Sequence, residues 1–248
     1  MKTRWNLAVC VVVLVVAATG PAIGNQDQVA GITVGSEAGV KVAGDPTPPT
    51  CGAIGDPGFL LGQNPNSPVD PDWDIMSSHQ TSWGTFVMAE SINQTAADPD
   101  WFNISSLTVW GLSLINVPTE AIQACDPTGM TFDVIFYEDT AGVPGAVICD
   151  LQSVTPAITN TLVQYIGFDL FQFDLPAACD LGTVGPKWVT IQSELYPDDC
   201  GFVWLSSADD GSGSLQDGGG GWQFKENDRS MCINGATIPV ELVAFSTE

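Results

Sequence analysis

Residues 131–149, TFDVIFYEDTAGVPGAVIC, restrict the fold more than any other stretch of the chain. Side chains of an extended strand alternate between two faces. Phe132, Val134 and Phe136 therefore share a wholly apolar face, while Asp133, Ile135 and Tyr137 share the other. Glu138 to Gly142 break the pattern with polar and flexible residues. Val143-Pro144-Gly145-Ala146 fits a type II turn, because Pro pre-sets φ and the following Gly accepts a positive one. An apolar run resumes at residues 146–149. Pro and Gly so close together rule against a helix here. The stretch reads as a hairpin with one face turned to a core.

The same grammar runs through the chain. Strand-like segments occur at 85–92, 106–117, 131–137, 146–152, 161–175, 187–195, 201–206, 221–225 and 237–245, separated by Pro, Gly, Asp and Asn. Many short strands with turn signals between them mean a sandwich or a barrel. The expectation is an all-β, antiparallel, jelly-roll-like β-sandwich stabilised by disulfides. One short helix is expected at 119–124, where Pro118 can start it without losing a needed N–H.

The N-terminus reads as an export signal. Lys2 and Arg4 precede an apolar run from Leu7 to Ala18, and small residues follow at Ala22 and Gly24. That pattern predicts a signal peptide over 1–24. Residues 25–50, rich in Gly and Pro, read as a flexible arm, and 51–248 as the sandwich domain. No later stretch is apolar enough to span a bilayer, and no sorting tail is recognised at the C-terminus. The expected location is secreted or cell-surface, with no membrane insertion after signal cleavage.

Cleavage would remove Cys10 and leave Cys51, Cys125, Cys149, Cys179, Cys200 and Cys232. An even number in an exported chain implies disulfides, and connectivity is not fixed by sequence alone. The hairpin favours Cys125 with Cys149 at its open end. Cys200 with Cys232 flank strands read as neighbours, and Cys51 with Cys179 follows by elimination.

The formal charge is −23, and it falls to −25 once Lys2 and Arg4 leave with the signal. Such a surface repels nucleic-acid phosphates and anionic lipid and attracts divalent cations. Asp70, Asp72 and Asp74 alternate as oxygen ligands for calcium can, though the Gly bend and distal Glu of an EF-hand loop are missing. The segment beginning Asp70-Pro-Asp-Trp recurs at Asp98-Pro-Asp-Trp, and a duplicated turn-plus-strand unit is the preferred reading. Asp209 and Asp210 lie in a Gly/Ser-rich loop that also holds Asp217; a surface loop is preferred there over a cation site. Calcium is the one cofactor suggested, and it is expected to stabilise the fold.

Catalytic signatures are scarce. His79 is the single histidine, in a polar run read as surface or loop. There is no G-x-S-x-G elbow and no P-loop. Paired carboxylates could serve a glycosidase, but 29 acids make some pair inevitable. Trp188 and Trp204 lie in strands and read as core. Trp73, Trp101 and Trp222 adjoin Asp- or Gly-rich turns and are the candidates for stacking on sugar rings.

Trp101–Leu114 (WFNISSLTVWGLSL), Phe132–Ala146 (FDVIFYEDTAGVPGA), Trp188–Glu194 (WVTIQSE) and Phe202–Ser207 (FVWLSS) together resemble a group of exported bacterial β-sandwich domains. These occur in surface or secreted proteins, often before varied C-terminal anchors. The resemblance covers about residues 70–236 and implies fold and compartment, not a mechanism. The resulting expectation is a non-catalytic extracellular or cell-surface module with a structural or ligand-binding role. Its partner would be a glycan or cell-surface component. A calcium-supported carbohydrate-binding module and a secreted carboxylate-dependent hydrolase are the alternatives.

Overall fold

A computed structural model describes residues 47–53, 56, 58–70, 72–93, 103–116, 122–182, 184–195, 199–207 and 213–235. The signal peptide, most of the arm, the strand expected at 237–245 and the second Asp-Pro-Asp-Trp unit lie outside them. Among the described residues sixteen strands follow in chain order: β1 (Phe59–Gln63), β2 (Ile75–Ser77), β3 (His79–Thr81), β4 (Gly84–Asn93), β5 (Asn103–Ile115), β6 (Gln123–Ala124), β7 (Phe132–Asp139) and β8 (Pro144–Val154). Then come β9 (Ala157–Tyr165), β10 (Phe168–Asp180), β11 (Pro186–Ser193), β12 (Gly201–Ser207), β13 (Ser214–Asp217), β14 (Gln223–Lys225), β15 (Asp228–Arg229) and β16 (Met231–Gly235). The first sheet runs β1-β16-β5-β10-β9, with β12, β2, β15 and β6 attached; the second runs β14-β13-β4-β3-β11-β7-β8. The protein is an all-β, disulfide-bonded sandwich.

The alternation in β7 does what its sequence requires. Phe132, Val134 and Phe136 are fully buried between the sheets. Phe132 meets Phe173 of β10 and Phe202 of β12 edge-on, and those two meet each other, with all three centroid separations at 5.3 Å. Edge-to-face contact sets the positive ring edge against the negative face. Strands from both sheets thus lock at one point. Gly111 on β5 makes room for it: a Cβ there would lie 2.4 Å from the Phe202 ring.

Several sequence expectations need correction. The hairpin turn is Thr140–Val143, not 143–146. Thr140 and Val143 bond each other's backbone in both directions, and Ala141 and Gly142 both have positive φ. This is the type I′ geometry that matches strand twist. Pro144 instead opens β8, an edge strand, where a missing N–H is tolerated. The expected segment 161–175 is two strands, β9 and β10, joined by Ile166-Gly167. Residues 123–124 are strand, not helix, paired to the end of β5; residues 117–121 lie outside the described residues.

Among the described residues the six cysteines are all bonded, but in other pairs: Cys51–Cys232, Cys125–Cys200 and Cys149–Cys179. The hairpin's open end is Phe132 opposite Val154, so Cys149 sits mid-strand, opposite Phe136. There it packs against the core and meets Cys179 of the facing sheet. Ala124 and Gly201 both pair with Leu114, from opposite sides of β5, which brings the adjoining Cys125 and Cys200 together. Cys51 is tied to β16 beside β1. Three disulfides suit an oxidising compartment.

A buried charge network crosses the sandwich. Arg229 is fully buried; its Nη2 pairs with Asp74 Oδ1 at 2.8 Å, and its backbone N–H donates to Glu90 Oε2 at 2.7 Å. Glu90 also accepts from Gln63 Nε2 and the Ser91 N–H. Burial, with the neighbouring Asp228 carboxylate, pushes the Glu90 pKa up to about 8 from its ordinary 4.5.

Two outcomes are expected. Phe132→Ala removes the ring that links both sheets and lowers unfolding free energy by about 3–5 kcal/mol, readable in urea titrations. Folded Glu90 keeps its proton up to pH about 8, while the unfolded chain releases it near 4.5. Stability therefore declines as pH rises across that interval and levels off above it. Urea midpoints measured from pH 6.5 to 8 should fall for the native chain, with that component of the slope absent in Glu90→Gln.

Candidate ligand-binding face

The face of the second sheet that looks away from the core has its own order. Residues directly opposite in antiparallel strands share a face. Ile135, Thr190, Ala89, Leu215 and Phe224 form one such row across β7, β11, β4, β13 and β14. Tyr137, Trp188 and Ser91 form the adjacent row. On this surface Ala89, Trp188 and Leu215 pack with Tyr137, Val143 and Trp222 into a cluster separate from the sandwich core.

Trp188 is the floor of the cluster. It is 6% exposed, and its Nε1–H donates to Asp139 Oδ1 at 2.8 Å, which fixes the indole plane. Tyr137 and Trp222 are half-buried against it, and Phe224 at the sheet edge is 63% exposed. Trp222 follows a glycine loop with its own clamp: Asp217 Oδ1 accepts the N–H groups of Gly219 and Gly221 at 2.7 and 3.0 Å. Both glycines have positive φ, near 92°, which only glycine adopts freely. The Asp217 carboxylate thus organises the loop that delivers Trp222.

Polar groups gather at the other end of the face. Gln80 Nε2 donates to Gln192 Oε1 at 3.0 Å, and Asp133 lies opposite Gln192. Asp133 and Glu194 hydrogen-bond each other. Burial raises the Asp133 pKa, and the Thr131 and Ser153 hydroxyls hold Glu194 below the usual carboxylate range. Those hydroxyls reach Glu194 at 2.5 and 2.7 Å. Glycosidase carboxyls stand about 5 Å apart or more, astride the scissile bond. A directly bonded pair is a clip between strands.

The sequence candidates fall in different places. Trp73 is not a surface residue: it is buried on the outer side of the first sheet, edge-on to Tyr165 at 5.2 Å. The Asp74–Arg229 ion pair draws its loop down onto that sheet. Asp74 is therefore engaged, and the Asp70 carboxylate accepts the Asp72 N–H in a local turn. Among the described residues no three His, Cys, Asp or Glu side chains gather to hold a metal. Trp101, Asp209 and Asp210 lie outside the described residues. Trp204 is core, as expected, and Trp222 is at the surface cluster.

His79 corrects another expectation. It lies on β3, fully buried, with its ring 4.0 Å from that of Trp83 and 5.5 Å from that of Phe86. Burial lowers its pKa to about 4, so it is neutral at pH 7. Tyr137, Trp188 and Phe224 were not among the sequence candidates. The alternation of 131–137 already put Tyr137 on the non-core face, but nothing local told that Trp188 and Trp222 would meet beside it. No family model, curated protein or solved structure matches this chain, so the chemistry of the face rests on its own geometry.

Proposed function

We propose that the protein is a non-catalytic, secreted or cell-surface β-sandwich module that binds an uncharged glycan on the outer face of the second sheet. The observation that carries this reading is the continuous Tyr137–Trp188–Trp222 cluster with Phe224 at its edge and carboxylate and amide groups at the other end of the same face. Sugar rings offer C–H faces to aromatic rings and hydroxyls to carboxylates and amides. The acid-rich surface disfavours anionic ligands and nucleic acid. Export fits the disulfides and the N-terminal sequence. Membership of the exported bacterial group is part of the same proposal, as is a jelly-roll order. The latter is supported by nested pairing of β1 with β16, β4 with β11, β5 with β10 and, innermost, β7 with β8.

The test is a glycan array, then calorimetry on the best neutral oligosaccharide. Trp222→Ala should weaken binding by about 2 kcal/mol, roughly 30-fold, as removal of an aromatic anchor does. Phe224→Ala should weaken it less. Unchanged affinity in both variants, or no retained glycan, would reject the reading. Polysaccharide turnover that disappears in Asp133→Asn would replace it with the hydrolase.

A further inference from the structure

We propose that the β9–β10 hairpin and the groove beside it form a self-complementary contact through which two copies of the chain associate. Among the described residues β9 is an edge strand of the first sheet. Along it, Leu162 is 76% exposed and Ile166 45% exposed. Both are also held in the left-handed region, at φ 64° and 49°. That conformation costs an L-residue about 1–2 kcal/mol, and a β-branched residue there is a true outlier. Asn-Gly is the usual choice for the Ile166-Gly167 turn position. Two apolar side chains are thus presented to solvent, each by strained backbone, on the same hairpin. Strain of this kind persists where it serves a function.

Charge identifies the occupant. Residues 151–168 contain no acidic or basic side chain, in a chain with 29 acids. Two copies repel over most of their surface, whereas along this flank only Asp126 and Asp169 at the groove carry charge. The matching recess is next to the knob. A groove of about 390 Å³ takes Gly167 in its wall and is lined by Ala124, Pro127, Phe168 and Phe171, with Asp126 and Asp169 at its sides. Both carboxylates are already engaged. Asp169 accepts from Asn160 and Gln164, and Asp126 accepts the Thr128 N–H. One two-fold axis lets Ile166 of each copy enter the groove of the other, since an isologous interface uses one patch twice. A heterologous partner would need its own knob and recess, whereas a second copy brings both.

The contact is small, so association in the micromolar range is expected. Asp126 and Asp169 of both copies approach one another, so screening should strengthen it. Sedimentation velocity on the mature chain, from about 1 to 300 µM, should show a dimer that grows with concentration. It should also grow between about 0.15 and 1 M salt. Ile166→Asn should weaken dimerisation at least tenfold while keeping or raising the melting temperature, because Asn accepts the left-handed turn. Leu162→Asn is the second variant, with the same expectation. A monomer under all conditions, or dimers of both folded variants as strong as the native one, would overturn the proposal.

Discussion

The contact among Phe132, Phe173 and Phe202 is what the rest of the sandwich is arranged around. Each ring comes from a different strand, and the three strands come from both sheets. Two stacked sheets without a shared contact of this kind could slide along their apolar faces, because hydrophobic attraction is non-directional. Edge-on rings at fixed spacing supply the direction. Once they meet, the face of β7 that turns to the core is set, and its pairing with β11 carries the opposite face outward. The surface row of Tyr137 and Trp188 is therefore a consequence of the core row of Phe132, Val134 and Phe136. A slip of one residue would exchange the two.

The buried charges act differently. Arg229 meets the Asp74 carboxylate in a place where water does not reach its guanidinium. Such pairs are weak sources of stability, since desolvation offsets attraction. Their geometric demand is high, however. Asp74 must descend to reach Arg229, and that descent carries Trp73 onto Tyr165 and covers the outer side of the first sheet. The second sheet has no comparable cover described over Trp188. The asymmetry explains why one outer face is a second core and the other presents half-exposed aromatics.

How far the sequence told this story depends on distance along the chain. Alternation in residues 131–137 is a local property, and it identified the core face of β7 correctly. The positive φ of Ala141 is also local, yet the Pro-Gly pair nearby is a stronger written signal for a turn than Ala-Gly. Disulfide partners are decided by which strands meet across or beside β5 and between sheets, which no stretch of sequence records. His79 looked polar by its neighbours Ser78 and Gln80, but strand alternation on β3 turns it inward to Trp83 and Phe86. The glycine loop was legible as a loop. Its use of Asp217 as a clamp for two amides was not, since that depends on backbone hydrogen bonds.

The acid-rich surface gives the two proposed sites opposite demands. On the outer face of the second sheet, Asp133 and Asp139 are tied to partners on their own sheet, which keeps their positions fixed without a cation. A neutral ligand can then use them as preorganised acceptors, and preorganisation lowers the ordering cost of binding. At the β9–β10 hairpin the requirement is little charge, because like-charged copies approach most readily where the surface carries least. Residues 151–168 meet that requirement on the chain's own edge strand. β8, the edge of the second sheet, follows the same flank but carries Asp150 and repeated register shifts, devices that discourage strand pairing. β9 has a bulge as well, around Leu162, so extended strand addition is disfavoured there too. What the bulge leaves is a protruding apolar side chain, which favours knob-in-groove docking over continuation of the sheet.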